Sequence, residues 1–231
     1  MKIGIIGAMD EEVSILKSAM DNVTTSKVAG CEFYQGDLND KQVILTKSGI
    51  GKVAAAVATT LLLDQFAPDV VINTGSAGGY DTALNVGDIV ISTEVRFHDV
   101  DLTAFGYEIG QMAQLPPAFE ATASLVDIAE DAAKTLDGLN TIKGLICTGD
   151  IFMADPVKAE VARNNFPTMA ACEMEAAAIA QVCYQFSVPF VIIRSLSDIA
   201  GKKSELSFDE FLPIAAKNAS VLVEAIVDRL N

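Results

Sequence analysis

Short apolar runs recur along this chain and alternate with longer segments of helical periodicity, and this alternation restricts the fold more than any other feature. The clearest runs are KIGIIG at 2–7, DVVINTG at 69–75, KGLICTGD at 143–150 and VPFVIIRSLSD at 188–198. Continuous apolar runs are typical of strands that are buried on both faces, as in the parallel sheets of α/β proteins. The segments between them therefore predict helices that cover the two faces of one sheet.

The remaining segments complete the same pattern. We predict two strands at 32–38 and 41–48 that are joined by a turn, and a further strand in GDIVISTEVRF. We also predict a helix that begins near Asp10, and helices at 51–66, at 119–136, from Glu175 onward and at 207–230. The 231 residues contain no linker, repeat or low-complexity segment. We therefore expect a single domain over 1–231, with a central mixed, largely parallel twisted sheet between two layers of helices.

Composition excludes several classes of function. The net charge of −15 argues against a nucleic-acid partner, because phosphate backbones select basic surfaces. No apolar run reaches the roughly 18 residues of a membrane helix, and the N-terminus lacks the features of a signal peptide. With a single histidine, His98, and four cysteines that show no C-x-x-C spacing, a metal site of several imidazoles is excluded. We expect a soluble cytoplasmic protein without a cofactor.

Acidic and small residues gather where the predicted strands end, which is where ligands bind in open α/β sheets. Glu12, Glu175 and Asp198 are predicted to share one edge of the sheet. Carboxylates that gather in a partly dry pocket push their pKa values apart, so one can act as an acid and another as a base. In the absence of metal, flavin or nucleotide motifs, these residues indicate cleavage of a glycosidic bond.

Each of these residues, taken alone, also has a structural interpretation. Acids at Asp10, Glu11 and Glu12 would stabilise a helix N-terminus, and NTGSAGG would form a tight turn. The other structural interpretations are Phe152, Met9 and Met174 as core side chains, Asp198 as a helix cap, and His98 as a structural residue. Arg194, at the end of an apolar strand, requires an acidic partner that is either structural or a catalytic acid held in place.

A series of motifs carries a family resemblance that runs nearly end to end. The motifs are MKIGIIGAMDEEV, KSGIGKVAAA, INTGSAGG, GDIV, DVDLTAFGY, EMEA, and SLSD followed by LSFDEFL. In this order and spacing the sequence resembles the 5′-methylthioadenosine/S-adenosylhomocysteine nucleosidases of the nucleoside phosphorylase-like superfamily. The resemblance implies a hydrolase of methionine salvage that cleaves the N-glycosidic bond of both substrates, and of 5′-deoxyadenosine, to release adenine.

The resemblance also implies a role for each matching residue. Asp198 would be the general acid at adenine N7, Glu12 would activate the attacking water, and Glu175 would hold the ribose hydroxyls and add negative potential near an oxocarbenium-like transition state. The implied binding residues are Glu173 and Met174 beside the ribose, Ser76, Ala77 and Gly78 beside the sugar and base, Phe152 and the backbone of Met153 at adenine, Ser197 behind Asp198, and Met9, Ile50 and Phe208 around the 5′-alkylthio group. A homodimer is implied too, in which Leu102 and Phe105 of the partner subunit complete the pocket.

Two other functions are compatible with the same fold. A purine nucleoside phosphorylase would hold phosphate near the sugar, and a non-catalytic protein would only bind nucleosides. The acidic cluster Asp10-Glu11-Glu12 is expected to repel a phosphate dianion, which favours water as the nucleophile. The presence of both an acid and a base argues against a protein that only binds.

Overall fold

Strands and helices alternate along the chain in the computed structural model, which describes residues 1–81, 83–200 and 204–230, with backbone only at 204–207. The strands are β1 Lys2–Gly7, β2 Asp21–Val28, β3 Cys31–Leu38, β4 Lys41–Lys47, β5 Val70–Gly79, β6 Ile89–Phe97, β7 Phe119–Glu120, β8 Thr141–Thr148, β9 Met169–Glu173 and β10 Phe190–Ile199. The helices are α1 Asp10–Ala19, α2 Lys52–Phe66, α3 Ala123–Ala133, α4 Pro156–Asn165, α5 Ala176–Phe186 and α6 Ser204–Arg229, with a short 3-10 helix at Thr103–Phe105.

The apolar strands are buried on both faces, as their continuous hydrophobic runs predict. In β1, Ile3 and Ile5 pack into one hydrophobic core while Ile6 packs into the other, because successive side chains of a strand point to opposite faces. The first core is covered by α1, α3 and α6, and the second by α2 and α5. The predicted three-layer α/β architecture with a mixed sheet is therefore confirmed.

The order of the strands brings their ends together around one space. Parallel pairings join β4, β1, β5 and β10 in the centre of the sheet. The strand β10 then pairs with β6, β6 with β8, β8 with β9, and β9 returns to pair with β5. This half of the sheet thus closes on itself, and the ends of β5, β9 and β10 meet.

Four details differ from the sequence-based prediction. The strand β2 was not predicted, because its residues are mostly polar and exposed. The segment NTGSAGG is not a tight turn, because it continues β5 through Gly79. The predicted helix at 119–136 begins instead with the two-residue strand β7, which pairs with β6. The last helix begins at Ser204 rather than at 207.

Two expectations drawn from composition can be compared with the described residues. Cys31, Cys147, Cys172 and Cys183 are all buried and reduced, as predicted for small core residues. Over the described ranges, the chain forms no helix with the length and apolar character needed to cross a bilayer.

Candidate active site

A cavity of about 300 Å³ opens where β1, β5, β9 and β10 end. Its walls contain every residue of the same subunit that was predicted for the site, except Met153. These residues are Met9, Glu12, Ile50, Ser76, Ala77, Gly78, Phe152, Glu173, Met174, Glu175, Ser197, Asp198 and Phe208; Ala8 and Cys172 also line the cavity and were not predicted. Burial raises the pKa of the Cys172 thiol far above its usual value, so this side chain is a neutral part of the wall.

The first acid, Glu12, lies in the first turn of α1 and is held by four hydrogen bonds. One carboxylate oxygen accepts from the backbone N–H groups of Ala8 at 2.8 Å and Met9 at 3.2 Å. The other accepts from the N–H of Ser76 at 2.9 Å and from its hydroxyl at 3.0 Å. Glu12 is almost fully buried, and these bonds fix its carboxylate at the cavity wall.

The second acid, Glu173, ends β9 and pairs with the buried Arg194. The guanidinium of Arg194 donates to Glu173 at 2.6 Å and to the side-chain oxygen of Asn73 at 2.7 Å. The same Glu173 oxygen accepts the backbone N–H groups of Glu175 at 2.9 Å and Ala176 at 2.8 Å, where α5 begins. Arg194 therefore has the acidic partner that its position in the sequence required, and Glu173 satisfies the first N–H groups of α5.

The third acid, Glu175, has fewer hydrogen-bond donors. It is the N-cap residue of α5, and one of its oxygens accepts the N–H of Gly51 at 2.8 Å. The other oxygen lies 3.9 Å from the Arg194 guanidinium. Burial, and then the negative charge of Glu173, raise the pKa of Glu175 to about 8, against the opposing attraction of Arg194. Burial and the charge of Glu173 therefore favour the protonated form of Glu175 in the free protein.

The fourth acid, Asp198, is placed by an irregularity in β10. Leu196 lies opposite Ala77 of β5, and Asp198 lies opposite Gly78, so Ser197 is an extra residue in the ladder. Such bulges turn side chains in directions that a regular strand does not allow. The hydroxyl of Ser197 donates to the Asp198 carboxylate at 2.9 Å, and both residues are buried. Asp198 is thus part of the strand β10.

The apolar wall of the cavity is formed by Met9, Ile50, Phe152, Met174 and Phe208. The rings of Phe152 and Phe208 meet edge to face, with centroids 5.7 Å apart and planes at 78°. Phe152 is 43% exposed, so it is a wall of the open cavity rather than a core residue. The cavity can therefore accept flat or alkyl groups against these side chains, and its wall also presents carboxyl groups.

Some predicted residues lie elsewhere in this subunit. The Met153 side chain is buried in a cluster with Leu145 and Phe166 rather than in the cavity wall, and the contact of its backbone with adenine stays a prediction. Leu102 and Phe105 lie at the 3-10 helix, away from the cavity wall, and the Phe105 side chain is 79% exposed. His98 packs against Gly149, and burial lowers the pKa of its imidazole, in agreement with the structural role expected for it.

The first turn of α1 places the three acids that follow β1, Asp10-Glu11-Glu12, in different surroundings. Asp10 is exposed and forms an ion pair with Lys47 at 2.7 Å, and Glu11 is exposed as well. Only Glu12 reaches the cavity. The expectation that the three acids together repel phosphate is therefore wrong in its detail, because two of the charges are solvated outside the site. The acids within the cavity are Glu12, Glu173, Glu175 and Asp198.

Three polar contributors were missed by the sequence reasoning: Asn73, Thr148 and the N–H of Gly51. Each lies next to the acids only in the folded chain; the Gly51 donor, for example, is 124 residues from its acceptor Glu175. Asn73 and Thr148 share one signal that could have found them. Both are polar residues near the end of an apolar strand, one or two positions before a glycine.

Together these groups can carry out acid–base chemistry on a neutral ligand. The described residues of the cavity wall include four carboxyl side chains and no lysine or arginine. Carboxyl groups in such different surroundings have different proton affinities, which is the condition for one to donate and another to accept a proton. The apolar wall would desolvate the part of the ligand that lies against it.

Comparisons with known proteins agree with this arrangement. The family model of the phosphorylase superfamily matches residues 2–228. The 5′-methylthioadenosine/S-adenosylhomocysteine nucleosidase of Psychromonas ingrahamii is 80% identical over 231 residues, which cover 100% of both chains.

Solved structures of such nucleosidases have the same fold. The enzyme from Colwellia psychrerythraea, in complex with adenine, is 55% identical with a TM-score of 0.97, over 98% of this chain and 94% of that one. The enzyme from Neisseria meningitidis, in complex with methylthio-immucillin-A, is 48% identical with a TM-score of 0.98, over 99% of each chain. The chain therefore belongs to the phosphorylase superfamily and, within it, to the family of 5′-methylthioadenosine/S-adenosylhomocysteine nucleosidases.

Proposed function

We propose that this protein is an N-glycosyl hydrolase that cleaves 5′-methylthioadenosine and S-adenosylhomocysteine to adenine and the 5-substituted ribose. The observation that carries the proposal is the cavity itself, in which buried carboxyl groups face a wall of Met, Ile and Phe side chains. Close relatives over the full chain length bear the name of this activity. The carboxyl groups suit a ribose, and the Met, Ile and Phe side chains suit adenine and an alkylthio group on the two sides of that ribose.

The proposed reaction assigns one role to each of three acids. Asp198 protonates N7 of adenine as the bond between ribose C1′ and adenine N9 breaks, and the sugar gains oxocarbenium character. A water molecule attacks C1′ and gives its proton to Glu12, whose position four hydrogen bonds fix. Glu175 binds the ribose hydroxyls with the oxygen that the N–H of Gly51 leaves free.

The raised pKa of Glu175 adds a change of protonation to its proposed role at the ribose hydroxyls. Because its pKa is raised to about 8, the protonated form is favoured in the free protein. Hydrogen bonds donated by ribose hydroxyls would favour its ionised form when the substrate binds. The negative potential near the developing cation is then present in the complex rather than in the empty cavity.

Phosphate is a poor nucleophile for this site on the grounds of charge. The acids in the cavity wall would repel a dianion in a region of low dielectric constant. Arg194, the cation closest to these acids among the described residues, is already bound to Glu173 at 2.6 Å and to Asn73 at 2.7 Å. We therefore favour water over phosphate as the nucleophile.

A homodimer and a cytoplasmic location are also part of the proposal. The exposed side chains of Val53 and Phe105, and a second apolar hollow lined by α2 and α5, suit contact with another copy of the chain. In that dimer, Leu102 and Phe105 of the partner subunit would cover the apolar wall of the cavity.

Adenine release from methylthioadenosine, measured with and without inorganic phosphate, tests the proposed function. We expect equal rates under both conditions and a sugar product without phosphate, identified by mass spectrometry. A rate that depends on phosphate, together with a phosphorylated sugar, would show that the protein is a phosphorylase. Tight binding of the nucleoside without any release of adenine would show that it only binds.

A further inference from the structure

The carboxylate of Glu173 lines the cavity, yet all the hydrogen bonds found for it go to other groups of the protein. One oxygen accepts from Arg194 and from the backbone N–H groups of Glu175 and Ala176, at 2.6 to 2.9 Å. The other accepts the hydroxyl of Thr148. A carboxylate with four donors is held in one orientation, and little capacity is left for a ligand.

Thr148 is the group that connects this carboxylate to the rest of the fold. It is the last residue of β8 and is completely buried. Its hydroxyl oxygen accepts the backbone N–H of Ala177 at 2.8 Å while its proton goes to Glu173. A single hydroxyl group thus ties β8, the end of β9 and the first turn of α5 together.

The position of Glu173 decides which acid Arg194 pairs with. The guanidinium lies 2.6 Å from Glu173 and 3.9 Å from Glu175, so a small movement of Glu173 would change its preferred partner. If Arg194 paired with Glu175, the oxygen that faces the sugar would be occupied by a salt bridge. The backbone N–H of Glu175 also depends on Glu173, which makes the start of α5 sensitive to the same movement.

We propose that Thr148 is a positioning residue of the active site, which holds Glu173 on Arg194 and thereby leaves Glu175 oriented toward the ribose. This inference rests on the hydrolysis proposed above. Thr148 does not line the cavity and so does not touch the substrate. Its effect passes through Glu173 to Glu175, and a displacement of about 1 Å in such a group can reduce a rate by about 10²-fold.

Three variants test the proposal by comparison with the wild type. Thr148→Val keeps the shape of the side chain and removes the hydroxyl, whereas Thr148→Ser keeps the hydroxyl and removes the methyl group. Thr59→Val is the matched control, because Thr59 is equally buried but its hydroxyl bonds only within α2, to the carbonyl of Ala55. Steady-state adenine release gives kcat and KM for each variant, and urea unfolding confirms that each is folded.

We expect Thr148→Val to lower kcat by roughly 10- to 100-fold, with a smaller change in KM, because alignment of the sugar matters most in the transition state. Thr148→Ser should retain kcat within about threefold, and Thr59→Val should lose stability but not kcat. If Thr148→Val loses only stability while its kcat equals that of the wild type, the proposal is wrong. A wild type that releases no adenine would instead contradict the proposed function.

Glu173→Gln provides a second test if Thr148→Val does not fold. The neutral amide keeps the size of the side chain but removes the charge that holds Arg194, so kcat should fall in the same range. Where Thr148→Val does fold, its combination with Glu173→Gln should be little worse than the more affected single variant, because both substitutions act on one contact. A wild-type kcat for Glu173→Gln, or fully additive losses in the double variant, would contradict the proposal.

Discussion

At the scale of single residues, the same chemical group serves different purposes according to its donors. Glu12 and Glu173 each accept four hydrogen bonds, whereas Glu175 accepts one from Gly51. Glu175, with few donors, has a raised pKa. It can therefore change its protonation state when a ligand supplies further donors.

If Asp198 is the general acid, its replacement should lower the rate of catalysis and leave nucleoside binding intact. Asp198→Asn keeps the size of the side chain and its contact with Ser197, but it removes the proton that would reach adenine N7. We expect adenine release to fall by at least about 10²-fold, the usual contribution of a general acid, while a non-hydrolysable nucleoside still binds. Calorimetric titration and an adenine assay measure the two effects, and activity near that of the wild type would remove the acid role.

The raised pKa of Glu175 predicts a stability that depends on pH. Its pKa of about 8 lies above the value of 4.5 expected for the unfolded chain, so the folded state binds the proton more tightly. This contribution favours the folded state below pH 4.5 and is lost as the pH rises through 8. Glu175→Gln remains neutral, so its stability relative to the wild type should increase by roughly 4 kcal/mol between pH 5 and pH 8.5, at about 1.4 kcal/mol for each unit of pKa difference.

Urea unfolding at several pH values measures the difference in the free energy of unfolding between Glu175→Gln and the wild type. The contributions of the other titrating groups largely cancel in this difference, because both proteins contain them. A stability difference between Glu175→Gln and the wild type that does not change with pH would show that Glu175 titrates normally. The same variant should bind nucleosides poorly above pH 8, because its amide does not supply the second acceptor oxygen of a carboxylate.

At the scale of elements, the strand β5 brings its backbone directly against two charged side chains. A Cβ atom at Gly75 would lie 2.8 Å from a carboxylate oxygen of Glu12 and 3.0 Å from the Arg194 guanidinium. Movement of either group would cost free energy, since Glu12 is held by four hydrogen bonds and Arg194 is fully buried. The glycine in this strand is therefore required by the site.

Gly75→Ala should lower kcat by at least about 10-fold, because it displaces Glu12 from the path of the water molecule. Gly30→Ala is the control: Gly30 also has a positive φ, of 85°, but no atom lies within 4 Å of its added methyl group. This control should lose about 1 kcal/mol of stability and keep its activity. Equal kcat values for the two variants in the adenine assay would contradict the close contact at Gly75.

At the scale of the whole molecule, part of the apolar wall of the cavity is exposed to solvent in the single chain. Phe152 and Ile50 are 43% and 57% exposed, although both line the site. A second subunit that covered this part of the wall would bury them and exclude water from the reaction.

The proposed dimer predicts that Phe105 acts across the subunit interface. Phe105→Ala should raise the KM for methylthioadenosine by about 10-fold, through lost burial of apolar surface, whereas Val161→Ala on the exposed face of α4 should not. Mixed dimers of Phe105→Ala and Asp198→Asn should regain activity, because one of their two sites combines an intact Asp198 with an intact Phe105 of the partner subunit. Sedimentation at the mass of one 24.4 kDa chain, or no recovery in the mixture, would contradict the dimer.

The sequence by itself determined the layered fold and the sheet edge at which the acids gather. Apolar runs such as KIGIIG and VPFVII predict strands buried on both faces, and the acids that follow them are then expected at one sheet edge. Local pattern is sufficient for these two conclusions, whereas the apolar residues of the site were implied by the family resemblance. The exposed, polar strand β2 was missed because its pattern carries no apolar signal.

Only the tertiary structure decided which groups surround each acid. Helix propensity places Asp10, Glu11 and Glu12 together in one first turn, but that turn sends two of them into solvent and the third to Ser76. Likewise, nothing near Glu173 in the chain indicates that Arg194 will bind it, or that Thr148 will hold it there. Hydrogen-bond donors and burial set the proton affinity of a carboxyl group, and here the donors Ser76, Arg194, Thr148 and Gly51 lie far from their acceptors in the chain.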